Sequence, residues 1–592
     1  MKSCTITFLP DRETIRVHQG ITLLEAAAQA GLSIYSPCQG TGVCRKCRVV
    51  LEPYEKEVLA CQYYVYEDLT VRIPTENRGG VSQILERGIQ GEKTADPRFQ
   101  KLFFPSSPAS TAQLLEQLSS FLDLPVCVHP DACLPESRNG FENGTTAVLT
   151  VEEETCLLLC LEPGDTTGCL YGAAADIGTT TVVLYLIDLK NGQICQTVSA
   201  ANPQIQYGDN VISRIVHAQA PEGLRQLQQS LIVKLNEMLV TLCRKQQISP
   251  ENLYEITAVG NTTMNHLLLG YPVQSLGQAP YKAYSLTACD APASKIGLQI
   301  HPAGRLYTVE NIAGFVGSDT VAAVLAAGMD TLESISLLVD IGTNGEIVLG
   351  NKNRLLAASC AAGPALEGAR IMYGSRAENG AIQRVLLAEG DIVLDTIGTG
   401  SPRSICGSGL IDAAAVMLQT GILDPSGAFA PFQNLREKLS SALFERLIRF
   451  ENQPAFVLAW KNGTRQPAVL LTQKDIREVQ LAKAATSAGI AILLRKMGVK
   501  LEEIETLFLA GAFGNYIQKT SAIRIGLLPS ISLDKIRFIG NAAGAGAQMI
   551  LLNRECRRTA SRLAQKIEYI ELARQPDFQD IYSDSMRFEE RR

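Results

Sequence analysis

The chain has 592 residues, several times the ~100–200 of one ordinary domain, so several folding units are expected. Lys and Arg number 54 against 60 Asp and Glu, a net charge of −6 that offers no bulk attraction to nucleic acid or anionic lipid. Hydrophobic residues at 46% and charged residues at 19% exclude a disordered chain and predict ample core.

The first residues, Met1 to Phe8, lack the apolar stretch of a signal peptide. The greasiest windows, Ala173–Leu189 and Val321–Gly350, are interrupted by Asp176, Asp330, Asp340 and several glycines. No membrane span and a cytoplasmic location are therefore expected.

Residues 1–75 are read as a β-grasp unit. Thr5–Leu9 and Thr14–Val17 alternate at period two across Pro10-Asp11, predicting a hairpin. Thr22 then caps a short helix, Leu23–Ala30, closed by Gly31. A cysteine-bearing loop follows, with returning strands at Arg48–Leu51 and Leu69–Ile73.

Cys38, Cys44, Cys47 and Cys61 form C-x5-C-x2-C-x13-C. Four thiols gathered in a short stretch read as metal ligands. Gly40 and Gly42 let backbone N–H groups approach sulfur, and Arg45 and Lys46 add positive charge. A structural zinc site shares the C-x2-C element. The segment resembles the plant-type and related [2Fe–2S] ferredoxins, with a first gap of five rather than four and a short last gap. That resemblance implies a [2Fe–2S] cluster on the four cysteines. Cys156 and Cys160 lie in an apolar strand and are expected as buried thiols.

Residues 76–108 are polar and read as a linker; 109–170 read as a small α+β middle domain with a helix over Thr111–Leu122 and three short strands. From 171 onward, strands and helices alternate at glycine-rich joints, predicting α/β layers. Two lobes are expected, 171–335 and 336–585.

Ala174-Ala175-Asp176-Ile177-Gly178-Thr179-Thr180 is a strand running into a tight turn. The pattern recurs at Val339-Asp340-Ile341-Gly342-Thr343-Asn344. Turn N–H groups with Thr and Asn side chains can hold phosphate oxygens, while the Asp orients magnesium-bound water. The pair resembles the two phosphate hairpins of the acetate kinase–hexokinase–actin–chaperone ATPase superfamily. Leu507–Tyr516, a strand entering a turn with Gly511 and Gly514, resembles its adenosine motif. The resemblance implies ATP and Mg2+ held between the lobes.

Further glycine joints open Gly260-Asn261-Thr262, Ala362–Gly368, Gly407-Ser408-Gly409 and Gly540–Gly546. Each can offer helix N–H groups to an anion or simply allow close packing. His266, Asp319 and Glu346 are candidate polar liners.

A ferredoxin unit, linker, middle domain and actin-like ATPase together resemble the reductive activators of corrinoid-dependent methyltransferases and O-demethylases. Only Cys556 lies beyond Cys406, so the branch with a C-terminal cysteine-rich ferredoxin does not fit. The resemblance implies ATP-dependent electron transfer to an inactive Co(II) corrinoid protein, fed by an upstream low-potential donor, with a homodimer left open. A metabolite kinase with a redox-sensing ferredoxin and a non-catalytic electron-transfer adaptor are the alternatives.

Overall fold

The computed structural model describes residues 3–9, 13–30, 32, 34, 47–52, 56–73, 95–106, 110–135, 141–152, 154–208, 210–342, 344–368, 370–375, 377–398, 400–461, 464–511 and 517–588. It divides into two compact units, Met1–Glu92 and Lys93–Arg592.

The first unit is a mixed five-stranded sheet. Strands β1 (Ser3–Leu9) and β2 (Glu13–His18) form the expected hairpin. Helix α1 (Leu23–Gln29) follows, then β3 (Arg48–Glu52), β4 (Lys56–Leu59) and β5 (Leu69–Arg72), in the order β2-β1-β5-β3-β4. Alternation on β1 buries Cys4, Ile6 and Phe8 on one face. Leu23, Ala26 and Ala27 of α1 complete that core. Thr22 and Glu25 cap the helix reciprocally: the Thr22 hydroxyl accepts from Glu25 N at 3.2 Å and Glu25 Oε2 accepts from Thr22 N at 2.8 Å.

The second unit begins inside the span read as linker. Phe99–Phe104 is β6, paired antiparallel with β8. It joins α2 (Thr111–Leu122), β7 (Val126–Cys133), β8 (Thr145–Val151) and β9 (Cys156–Pro163) in a sheet ordered β6-β8-β9-β7. The linker reading thus corrects to a shorter one, because Phe99, Leu102 and Phe104 carry apolar surface that the sheet buries. Cys156 and Cys160 are buried thiols, as expected.

Two lobes repeat one plan. Lobe I has β10 (Tyr171–Ile177), β11 (Thr181–Asp188), β12 (Gln193–Ala201), α3 (Pro221–Gln246), β13 (Leu253–Gly260), α4 (Thr262–Leu269), β14 (Cys289–Pro292), β15 (Arg305–Thr308) and α5 (Ser318–Ala327). Lobe II has β16 (Ser336–Ile341), β17 (Gly345–Gly350) and β18 (Leu355–Cys360), then two inserted three-stranded sheets. These are β19 (Ala381–Ala388), β20 (Asp391–Thr396) and β21 (Ser404–Ile405), followed by α6 (Gly407–Gln419), and β22 (Leu447–Phe450), β23 (Gln453–Trp460) and β24 (Pro467–Thr472). The plan resumes with α7 (Gln473–Met497), β25 (Thr506–Ala510), β26 (Ile536–Gly540), α8 (Ala542–Leu552), α9 (Arg554–Lys566) and β27 (Glu568–Tyr569).

The main sheets run β12-β11-β10-β13-β15-β14 and β26-β25-β16-β17-β18-β27. In each, an antiparallel three-stranded meander is extended beyond its first strand by two parallel strands, β13 and β15 in lobe I and β25 and β26 in lobe II, with β14 antiparallel at the lobe I edge. Helix α8 leaves the lobe II sheet and packs on lobe I, crossing α5 so closely that a Cβ on Gly546 would lie 2.0 Å from Ala322 O. The incoming chain is tied to the far end of α8: Asp96 N donates to Leu552 O, and the Asp96 carboxylate pairs with Arg554 at 2.9 Å. No helix among the described residues is long and apolar enough to cross a membrane.

Candidate active site

In the first unit, Cys47 precedes β3 and Cys61 follows β4. Ala60 N donates to Cys47 O at 2.8 Å, so the β3–β4 hairpin closes with the two cysteines side by side. Their Sγ atoms lie 3.2 Å apart and both side chains are buried. That is too far for the ~2.05 Å of a disulfide. It is within the span of two thiolates on one ion at ~2.3 Å metal–sulfur bonds. The described half of the donor set fits a thiolate-held metal centre; Cys38 and Cys44 lie outside the described residues.

The second unit brings Asp176 and Asp340 near enough for the Asp176 charge to raise the Asp340 carboxyl. Each stands next to last in the first strand of its lobe's meander, β10 or β16. Asp340 pairs in register with Glu346 across the β16–β17 hairpin and with Ala510 on β25. Asp319 enters from the first turn of α5. Burial raises the Asp176 carboxyl to about 6, against the pull of an Asn541 hydrogen bond. Burial, followed by neighbouring carboxylate charge, raises Asp319 and Asp340 to about 7. Glu346 is pushed well up by burial and by Asp319 and Asp340. Asp319, Asp340 and Glu346 each feel neighbouring carboxylate charge as well as burial, and a cation that relieved it would be a hard divalent ion with oxygen ligands.

The turn after Asp176 is held from below. Gly178 N donates to Thr181 O at 2.9 Å, and Asn202 Nδ2 donates to Gly178 O at 2.8 Å. Asn261 Nδ2 donates to Thr179 Oγ1 at 3.0 Å, and the buried Arg214 guanidinium donates to Thr179 O at 2.5 Å. Thr180 Oγ1 reaches across to Glu367 of lobe II at 3.1 Å. On the other side Gly342 N donates to Asn344 O at 3.2 Å. Gly511 sits at φ 100° with the place of its missing Cβ only 2.9 Å from Asp340 Oδ1, a position closed to any side chain. Thr343 and Gly514 lie outside the described residues.

Other candidates sort themselves by their bonds. Asp319 and Glu346 join the carboxylate group. His266 does not: it is a core residue whose Nδ1 pairs with Thr262 O at 2.7 Å and whose Nε2 accepts from Ser285 N at 3.3 Å, and burial lowers its pKa. Gly407, Ser408 and Gly409 start α6 buried against β19, with Ser408 Oγ donating to Gln383 O at 2.9 Å. A Cβ on Gly409 would lie 2.3 Å from Ile382 O, so close packing explains that glycine by itself. Arg214 and Asn202 escaped sequence reasoning, because nothing local marks an Arg or Asn that grips a turn many residues away. Asn541 was visible only as part of a glycine joint.

Comparison with known proteins follows the same division. Residues 6–66 match the model of the 2Fe-2S iron-sulfur cluster binding domain, 171–332 the RACo middle region, and 334–592 the C-terminal ASKHA domain of RACo. The chain is 34% identical over 591 residues to the corrinoid activation enzyme RamQ of Eubacterium limosum, covering 97% of this chain and 98% of that one. It is 24% identical over 449 residues to a [Co(II) methylated amine-specific corrinoid protein] reductase of Methanosarcina barkeri, covering 70% and 76%. A solved structure, a reductive activator for corrinoid, iron-sulfur protein, superposes with a TM-score of 0.75 at 31% identity over 99% of this chain and 98% of the other.

Proposed function

The chain belongs to the family of reductive activators of corrinoid proteins, and from that premise we propose that it returns a protein-bound Co(II) corrinoid to Co(I) in an ATP-driven one-electron reduction. The partner belongs to a methyltransferase or O-demethylase system, and a low-potential donor upstream reloads the electron. The observation that carries the reading is the likeness along nearly the whole chain to named activators, and the nearness of Asp176 to Asp340 supports it.

Cys38, Cys44, Cys47 and Cys61 would hold the [2Fe–2S] cluster. When bound, a plant-type cluster supplies one electron near ~−400 mV. Each ~59 mV uphill costs tenfold in a one-electron equilibrium, and Co(I) lies further uphill, so a second source of free energy is needed. The cleft is suited to supply it. Gly178, Thr179 and Thr180 on one side and Gly342, Thr343 and Asn344 on the other would hold phosphate oxygens. Asp176 and Asp340 would orient water on Mg2+, with Asp319 and Glu346 adding to the charge the cation neutralises. Gly511 and Gly514 would let the adenosine lie against backbone. Gly407, Ser408 and Gly409 would contribute from behind, through the placement of α6. Closure of two lobes about α5 and α8 is the movement such a site can drive.

The test follows Co(II) absorbance of a cognate corrinoid protein with a low-potential donor and a trap for Co(I). Reduction is expected only with intact cysteines and hydrolysable ATP together. Deleting residues 1–75 should abolish it while sparing ATP hydrolysis. Equal trapping without ATP would reduce the protein to an electron carrier. ATP-dependent phosphorylation of a small metabolite would make it a kinase.

A further inference from the structure

Asn541 caps helix α8 and touches the opposite lobe with the same side chain. Its Oδ1 accepts from Gly544 N at 2.8 Å, the ordinary bond of a helix N-cap. Its Nδ2 donates to Asp176 Oδ2 at 2.7 Å and lies 3.3 Å from the Tyr185 hydroxyl. The amide cannot be reversed: turning it would set a carbonyl oxygen against a carboxylate and an NH2 against the Gly544 N–H. The residue before it, Gly540, accepts from Gly511 N at 2.9 Å, so the cap is also bound to the turn that abuts Asp340. Asp176 therefore stands at the end of a lobe I strand, yet its one described side-chain hydrogen bond comes from the segment leaving the lobe II sheet.

We propose that Asn541 is a positioning residue for ATP hydrolysis: its side-chain amide holds the Asp176 carboxylate in the orientation it needs toward the nucleotide-bound cation. The role rests on the functional reading above, since it presumes that Asp176 serves hydrolysis. A carboxylate on a strand end can rotate about two side-chain torsions. One oxygen fixed by Asn541 leaves the other to face the cleft. Because α8 packs on lobe I while its cap is continuous with β26, this orientation depends on how the two sheets stand to each other. Hydrolysis is in this way tied to the closed arrangement of the cleft.

The two duties of Asn541 can be separated by substitution. Asn541→Asp keeps the size and the cap acceptor for Gly544 N, but replaces the donor facing Asp176 with a carboxylate oxygen. Asn541→Ala removes both. In the full chain, with magnesium and ATP, both variants are expected to lower kcat about ten- to a hundredfold, the usual loss when a partner that orients a metal-site group is removed. KM for ATP should stay near the wild-type value, since neither variant alters the turns that hold phosphate. Only Asn541→Ala should also lower the melting temperature. If Asn541→Asp turns over ATP at the wild-type kcat, the residue is a helix cap and the proposal fails while the functional reading stands. If the wild-type chain binds ATP but does not hydrolyse it, the functional reading fails and takes this role with it.

Discussion

Asp176 and Asp340 occupy equivalent positions, each the penultimate residue of a strand whose next turn is built from small and hydroxylated residues. Replacing either with Asn keeps the volume and removes the charge that a cation-bound water would meet. ATP hydrolysis is expected to fall at least about a hundredfold, the scale of losing one preorganised electrostatic contact. The visible spectrum should be unchanged, because the thiols belong to the other compact unit. Cys47→Ser should do the reverse, bleaching the protein while ATP turnover persists. The two readouts moving together in either variant would show that the sites are not separate. Arg214 makes a different point about single residues. Fully buried, it bonds Thr179 O, Gly208 O and Gln204 Oε1, and so fixes the turn after Asp176 from within the core of lobe I.

At the scale of elements, the crossing of α5 and α8 is the feature most sensitive to a single atom. Gly546 lets α8 rest against the Ala322 carbonyl, and a side chain there has only backbone to displace. Gly546→Val should destabilise the second unit by about 1–3 kcal/mol or more, the usual range for forced overpacking. Thermal unfolding followed by circular dichroism would show it as a lowered midpoint; an unchanged midpoint would mean the helices do not cross at this residue. The pairing of β6 with β8 carries a related lesson. The polar span predicted to run to residue 108 contains the apolar-rich segment Phe99–Phe104, which becomes the edge strand of a sheet by pairing with β8.

Across the whole second unit, charge is arranged in two opposite ways. Ion pairs such as Arg98 with Asp290 and Glu152, and Lys101 with Glu162 at 2.7 Å, fasten the middle domain to itself and to lobe I. Between the lobe strands, by contrast, like charges neighbour one another: Asp176 acts on Asp319 and Asp340, and both of these act on Glu346. Their folded pKa values are raised, to about 6 for Asp176 and about 7 for Asp319 and Asp340, above the ~3.9 of an unfolded Asp. The native state thus binds more protons between these values, and their contribution to stability is complete below about pH 4 and lost as the pH rises through about 7. His129 and His266, lowered by burial, act in the opposite sense only below ~6.5, which makes the interval above that the informative one. Stripped of nucleotide and divalent metal, the protein should melt at a lower temperature at pH 8 than at pH 6.5. Adding magnesium and a nonhydrolysable nucleotide should flatten the difference. A midpoint that rises with pH over this interval without ligand would contradict a cluster of mutually repelling carboxyls.

Local chemistry was enough to read the N-terminal hairpin, the Thr22-capped helix, the helix at Thr111–Leu122 and the two Asp–Gly–Thr turns, since each depends on alternation, capping or turn residues within about ten positions. The cysteine spacing proposes a metal ligand set before any fold is known, and of its members Cys47 and Cys61 are described side by side. The sequence also showed that the Asp motif occurs twice, and two related lobes follow from that repeat. What it left open was decided by contacts between residues far apart in the chain. Whether His266 faced a ligand or the core depended on the chain around Ser285 returning to close over its Nε2. Whether the glycines of α6 served an anion or a packed joint depended on β19 lying against them. That Asn541 would meet Asp176, 365 positions away, depended on α8 crossing from one lobe to the other. Such meetings are set by how sheets and helices bury their apolar faces against each other, and that packing has no signature in either local segment.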